Sequence, residues 1–301
     1  MFLSLVAVAV QFGRDTGIFK NLPVVVVMAM AALVIPSWAA AQTATPDQSS
    51  PTAAPPNEPP QTTAETAPSP SQDIDRSVSW KLMYPNLIAD QKQIWSFPAR
   101  LVQGQNWIPT TAVLGITAGL VLVDPIDARF FRRTSTFHGF NNVFASNTTA
   151  IGIGAVPASL YVIGLIRKDS KMQHTALLAG EAMADAAILT TVLKDATKRI
   201  KPAGFPPDGN FSDSWFEKKG SPSFYLKGNG SFPSGHTMEA FSVATIIARR
   251  YRNHRWVPYV AYGLAAAVGF SRLTLSVHFM SDVFMGGALG YSISRFTVLR
   301  Q

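Results

Sequence analysis

The chain has 301 residues, 26 Lys+Arg against 18 Asp+Glu, and no cysteine. That length fits one ordinary domain with extensions or two small ones, and the missing cysteines exclude disulfide scaffolds, thiolate metal sites, iron–sulfur clusters and a cysteine nucleophile. Hydrophobic residues make up 47% and charged residues only 15%, below the usual quarter for a soluble domain, so the composition leans toward a membrane or very apolar helical protein.

The first segment reads as an export signal. Residues 23–38 are an apolar run preceded by Arg14 and Lys20 and followed by Ala39-Ala40-Ala41, the order of a secretory signal peptide over 1–41. An uncleaved anchor helix is the alternative, and the apolar stretch Met1–Val10 ahead of the charges suggests a start placed too early. Next comes a Pro/Thr/Ala/Ser-rich spacer, 42–77, with too few large apolar side chains to offset the entropy of ordering, so it is expected to be disordered. It holds five acids (Asp47, Glu58, Glu65, Asp73, Asp75) and, as far as residue 75, no Lys or Arg. Residues 76–301 therefore carry 24 basic against 12 acidic side chains, a balance of +12. Such a domain points to anionic partners, phosphorylated molecules or lipid head groups, rather than to nucleic acid, since no stretch interleaves the charges with aromatics.

A helical domain is expected over 78–301. Apolar segments at 107–123, 147–166, 174–198, 235–252, 256–270 and 281–297 show no strand-like alternation, which predicts an all-α fold of six helices. Breaks are expected at Asp124-Pro125, at Arg167–Asp169, at Pro202 and Pro206-Pro207, and at the basic turn Arg249–Arg255. The first two segments are just long enough to span a bilayer, whereas Glu181 and Asp185 count against the third and Glu239 against the fourth. A cytoplasmic Arg249–Arg255 turn is incompatible with six regular spans following a cleaved signal.

Three motifs carry chemistry. Lys194 and Lys201-Pro202 are seven residues apart, two helical turns, so two cations would share a face and clamp a phosphate; a solvated basic helix end is the plainer reading. Gly228–Thr237 (GNGSFPSGHT) is a Gly-rich approach to a helix start, an anion site to which Ser234 adds a hydroxyl and His236 a proton carrier; an ordinary Ser cap beside an incidental His is the alternative. In Ser271–Asp282 (SRLTLSVHFMSD), Arg272 offers a planar fork. His278 and Asp282, four apart, would share a helix face, the carboxylate holding the imidazole in one tautomer as in an activated nucleophile or merely satisfying a buried His.

Together these motifs resemble the type 2 phosphatidic acid phosphatase family, which shares its core with vanadium haloperoxidases and bacterial class A acid phosphatases. Its pattern is Lys with Arg-Pro seven residues on, then PSGH, then SR-x5-H-x3-D; the last two match at every defined position. The likeness covers about residues 105–297 and includes a six-helix bundle. One position departs: Lys201 stands where the family has Arg and lacks the bidentate fork, while Arg199 is two residues out of phase.

The resemblance implies a phosphatase in which His278 is the nucleophile forming a phosphohistidine and Asp282 orients it. His236 would protonate the leaving group and then activate water. Lys194, Lys201, Arg272, Ser234 and the Gly235 N–H would bind the phosphoryl oxygens. No cofactor is implied: His236-x-x-Glu239 lacks a third ligand at helical spacing, and vanadate would enter only as a phosphate mimic or in a haloperoxidase. The apolar helices favour a lipid phosphate, phosphatidate or an isoprenyl diphosphate, at the periplasmic face of the inner membrane. A soluble periplasmic acid phosphatase, a haloperoxidase and a non-catalytic binder of anionic lipid heads are the alternatives. The loop 203–232, with Phe205, Phe211, Trp215, Phe216, Phe224 and Tyr225, would form either an apolar rim for an acyl or isoprenoid chain or a loop packed on the domain.

Overall fold

The computed structural model describes residues 76–216 and 228–300. The expected signal (1–41), the spacer as far as residue 75, and Phe224 and Tyr225 of the rim lie outside the described residues. Every element among the described residues is helical: α1 Met83–Trp95, α2 Phe97–Val102, α3 Trp107–Arg133, α4 His138–Val143, α5 Ser146–Ile166, α6 Ser170–Thr197, α7 Gly235–Arg250, α8 Val257–Thr274 and α9 Met280–Ile293. The six long expected helices correspond to α3 and α5 to α9; the short α1, α2 and α4 are additions the sequence reading did not foresee.

Two boundaries differ from expectation. Asp124-Pro125 does not end α3, which runs on to Arg133 with Pro125 inside it. Proline removes one ladder hydrogen bond, but Asp124 before it and Asp127, Ala128 and Phe131 beyond it are all buried, and that packing carries the helix through. At the other end of the chain α8 continues past residue 270 to Thr274, bringing Ser271 and Arg272 inside the helix.

α6, α7 and α9 form the centre. Leu178, Ala179, Ala182 and Ala186 of α6 pack with Met238, Phe241, Val243 and Ile246 of α7 and with Ile293 of α9. Small residues set how closely these helices approach. A Cβ on Gly286 would fall 2.6 Å from the Ser234 carbonyl oxygen, and one on Gly290 would collide with that of Met238, so α9 lies directly on the α7 backbone. A second cluster, Phe131, Leu273, Met280 and Val283 with Phe137 and Phe270 against it, ties α3 and α8 to the start of α9.

Glu181 and Asp185, the acids that argued against a spanning third helix, do not face outward. α1 covers them: Asn86 donates to Glu181 (2.8 Å), Gln91 donates to Asp185 (2.8 Å), and both acids are fully buried. Arg76 meets Asp90 of α1 in the same layer at 2.7 Å, so ordered packing already includes a residue expected in the spacer. With those charges enclosed, three stretches among the described residues are long and apolar enough to cross a membrane: Trp107–Arg133, Ser146–Ile166 and Ser170–Gly204. α3 and α5 turn much of their apolar surface outward, including Leu114, Leu122, Ile151, Val162 and Ile166.

Candidate active site

The three motifs converge where α6 ends and α7 and α9 begin. α6 stops at Thr197 because Lys198 adopts a left-handed conformation (φ 44°). The chain therefore changes direction before the motif finishes, and Lys194 and Lys201 do not share a helical face as expected. Lys194 is half-buried and Lys201 exposed. Lys194 Nζ lies 3.9 Å from where a Cβ on Gly235 would sit, placing its ammonium beside the first turn of α7. Positive charge and the free N–H groups of a helix start thus face one spot, the physical requirement for holding an anion.

The same turn sends Arg199 inward. It is 1% exposed and donates to Asp282 Oδ1 (2.6 Å), to Asp124 Oδ2 (2.5 Å) and to the hydroxyls of Ser281 (2.7 Å) and Ser214 (3.2 Å). Its guanidinium carbon lies 4.2 Å from the ring centres of both Trp215 and Phe279. Arg199 is a fixed internal countercharge, not a spare cation for ligand.

His278 precedes α9 rather than lying in it, so the shared helix face expected for His278 and Asp282 does not exist. Asp282 reaches back over the first turn instead. Its Oδ2 accepts from the Phe279 N–H (2.9 Å) and from the Ser231 hydroxyl (2.6 Å), and lies 3.5 Å from His278 Nδ1. The Ser231 hydroxyl is also 3.4 Å from Nδ1. Nδ1 thus faces the carboxylate, and Nε2 points away from it. Burial pushes the His278 pKa down, opposed by Asp282, so the ring is neutral at neutral pH. Burial would raise Asp282, but Arg199, His278 and Ser231 outweigh it and keep the carboxyl ionised.

α3 supplies acceptors for the orphan N–H groups of α9. Asp127 accepts from the Met280 N–H (2.7 Å), and Asp124 from the Ser281 N–H (3.2 Å) and hydroxyl (2.5 Å). Sequence reading took Asp124 as punctuation and assigned nothing to Asp127 or Ser231. A Ser two residues ahead of the matched PSGH, and two acids one helical turn apart following an apolar helical stretch, were the signals present.

Ser234 caps α7 by position, but its hydroxyl pairs with Thr237 (2.8 Å), and its N–H donates to the Asp282 carbonyl (3.0 Å). His236 is half-buried, with Nε2 3.1 Å from the Ser146 carbonyl. Burial and then Arg272 hold its pKa down to about 4. Arg272 is fully buried, and most of its fork is engaged: it donates to the Phe144 carbonyl (2.5 Å), Thr149 (3.0 Å) and Ser271 (2.8 Å), while Nη1 makes one long bond to Ser146 (3.3 Å). Ser146, at the start of α5, thus touches both His236 and Arg272, a role the sequence did not suggest. Of the expected rim, Phe205 packs inside on Phe279, Phe216 is exposed and Trp215 stacks on Arg199. Glu239 lies near Lys194, and no group of three metal-ligating side chains occurs among the described residues.

Residues 175–301 match the family model described as the PAP2 superfamily. The chain is 39% identical over 61 residues to a lipid A 1-phosphatase of Porphyromonas gingivalis, covering 20% of this chain and 14% of that protein. It is 33% identical over 72 residues to a lipid A 4'-phosphatase of the same organism, covering 24% and 30%. With phosphatidylglycerophosphatase B of Bacillus subtilis it shares 32% identity over 111 residues, 34% of this chain and 46% of the relative. The matches thus span less than half the length of each relative. The crystal structure of a transmembrane PAP2-type phosphatidylglycerolphosphate phosphatase from Bacillus subtilis aligns over 71% of this chain and 92% of its own, at 22% identity and a TM-score of 0.37. All three motifs fall inside the stretch, residues 175–301, that is similar to the PAP2 superfamily model.

Proposed function

We propose that this protein is a membrane phosphatase that removes phosphate from lipid phosphomonoesters or diphosphates through a phosphohistidine, without a metal. The observation that carries the reading is the buried His278, with Nδ1 facing Asp282 and Ser231 while Lys194 Nζ and the start of α7 supply positive potential nearby. Phosphoryl transfer needs mainly positioning and stabilisation of the equatorial oxygens, and these groups offer both.

In the first step His278 Nε2 attacks phosphorus as the bond to the leaving oxygen breaks. His236 gives that oxygen a proton. A neutral His236 in the empty site fits this role, because an arriving phosphate dianion raises its pKa and charges it. In the second step His236 takes a proton from water, the hydroxide attacks phosphorus, and the P–N bond breaks to release inorganic phosphate and His278. Lys194, the Gly235 N–H and Arg272 hold the phosphoryl oxygens, Arg272 exchanging its long Ser146 bond for the ligand, while the exposed Lys201 adds only longer-range positive potential. Ser234 reaches the phosphate only if its hydroxyl leaves Thr237.

The outward apolar faces of α3 and α5, and relatives named for lipid A and phosphatidylglycerol phosphate, support a lipid substrate and a membrane home. The site lies at a helix-end layer, as a periplasmic water–lipid boundary would require. Phosphate release from phosphatidate, phosphatidylglycerol phosphate, lipid A and an isoprenyl diphosphate, with wild type and His278→Ala, tests the proposal. We expect release with at least one lipid and none with the variant, and an acid-labile, base-stable label at His278. Full activity in His278→Ala would sink the mechanism; preference for soluble phosphomonoesters would favour the acid phosphatase alternative.

A further inference from the structure

The basic turn Arg249–Arg255 has no part in the reaction above, and the fold gives it a neighbour that the sequence does not reveal. α6 and α7 run antiparallel, so the end of α7 meets the start of α6. Arg250 donates to Thr175 (2.9 Å), and Lys171 Nζ lies 5.2 Å from the Tyr251 ring centre. The α5–α6 turn, with Arg167 and Lys168, and the α7–α8 turn, with Arg249, Arg252 and Arg255, therefore form one surface. Arg167, Lys168, Lys171, Arg249, Arg252 and Arg255 are all exposed. The acid among them, Asp169, is engaged in capping α6 through the Met172 N–H (3.0 Å), and His174 and His254 are exposed beside it.

This surface lies at the far end of the bundle from the candidate site. From Thr175 to Lys194 is about 29 Å along α6 at 1.5 Å per residue, close to the ~30 Å of a bilayer's hydrocarbon core. The apolar flanks of α5 and α8 fill the interval, and Trp256 (63% exposed) and Tyr259 (68% exposed) stand at the boundary where amphipathic aromatics meet head groups.

We propose that these two turns form a binding surface for anionic phospholipid head groups in the leaflet opposite the active site. The cations supply charge complementarity, and the aromatic pair continues the surface into the apolar belt. The inference rests on the membrane reading above, not on the phosphatase chemistry. Near an anionic membrane surface each Lys or Arg strengthens binding by about fivefold, so three removed cations weaken it about a hundredfold.

The test titrates the full chain, purified in a neutral detergent, with phosphatidylglycerol or phosphatidylcholine and reads the thermal midpoint. Phosphatidylglycerol is expected to raise the midpoint of wild type and phosphatidylcholine to leave it unchanged. Arg167→Gln, Lys168→Asn and Arg255→Gln combined should shift the phosphatidylglycerol response about a hundredfold to higher concentration, with turnover of a short-chain phosphate unchanged. Asn suits the left-handed backbone of Lys168 (φ 54°). Should the triple variant not fold, wild type in about 0.5 M salt should lose the response, since exposed charges are then screened. An equal response to phosphatidylcholine, a variant that keeps the response, or a salt-insensitive response overturns the proposal. So does a midpoint raised by polyglutamate but not by phosphatidylglycerol, which assigns the surface to an acidic protein segment. His278→Ala should keep the lipid response, which separates failure of this inference from failure of the catalytic one.

Discussion

Arg199 holds Asp282 across 2.6 Å with neither side chain exposed, and the same guanidinium reaches Asp124 on α3. The carboxylate facing His278 is thereby fixed to the end of α6 and to α3 at once. Arg199→Ala leaves two buried carboxylates without their countercharge, which costs about 3–5 kcal/mol. Arg199→Lys should recover only part, because an ammonium cannot fork between two acids while stacked between Trp215 and Phe279. Thermal midpoints in detergent give the comparison, and an alanine variant as stable as wild type would refute the anchoring role.

Ser231 acts on the same carboxylate from the other side. Its hydroxyl donates to Asp282 Oδ2 at 2.6 Å and sits 3.4 Å from His278 Nδ1. Ser231→Ala removes a hydrogen bond to a charged group, worth about 1.5–3 kcal/mol, and loosens the orientation of the imidazole. kcat should fall roughly ten- to a hundredfold with KM little changed. A rise in KM alone would mean that Ser231 contacts substrate and not Asp282.

These two residues show what could and could not be read from the chain. The apolar helices and the Gly228–Thr237 and Ser271–Asp282 motifs were legible because helical periodicity and fixed local spacing survive in one dimension. Lys194 and Lys201 were not, because counting two turns assumed a helix that Lys198 ends. Asp124 looked like a stop beside Pro125, since only the fold brings α9's bare N–H groups to it. Arg199 seemed out of phase for the same reason: the left-handed turn at Lys198 decides which cation points inward.

The two lysines should separate in kinetics. Lys194 Nζ lies beside Gly235 at the start of α7, whereas Lys201 is exposed. Lys194→Ala should lower kcat/KM by about 10²–10³, the usual cost of losing one transition-state charge donor. Lys201→Ala should cost about tenfold or less, in a manner that added salt diminishes. Steady-state assays at low and high ionic strength give the answer, and equal losses would show that Lys201 swings into the site during turnover.

Both histidines have pKa values below the ordinary 6.5, His236 at about 4. Between those values the unfolded chain binds more protons than the folded one, so stability rises with pH. The contribution is present above about pH 6.5 and is lost as pH falls, for His236 down to about 4. Asp282, held below its ordinary 3.8, adds its own loss only under still more acidic conditions. Thermal midpoints from pH 8 to 4 should show His236→Gln losing less stability than wild type as the pH falls, the difference opening below about pH 6.5. An unchanged slope in that variant would contradict the assignment.

Gly286 is where packing and chemistry meet. A Cβ there would lie 2.6 Å from the Ser234 carbonyl oxygen and 3.3 Å from Thr237 Cβ, so alanine cannot enter without moving α9 off α7. α9 carries Asp282 in its first turn, and α7 carries Gly235 and His236 in its own; a shift of a few tenths of an ångström therefore changes how the two histidines face each other. Overpacking of this kind costs about 1–3 kcal/mol. Gly286→Ala should thus lower both the midpoint and kcat. Gly263→Ala on α8, where a Cβ would meet nothing within 4 Å, should be neutral or stabilising by up to about 1 kcal/mol, since alanine outranks glycine inside a helix. If both variants turn over substrate like wild type, the close α7–α9 contact does not set the geometry of the site.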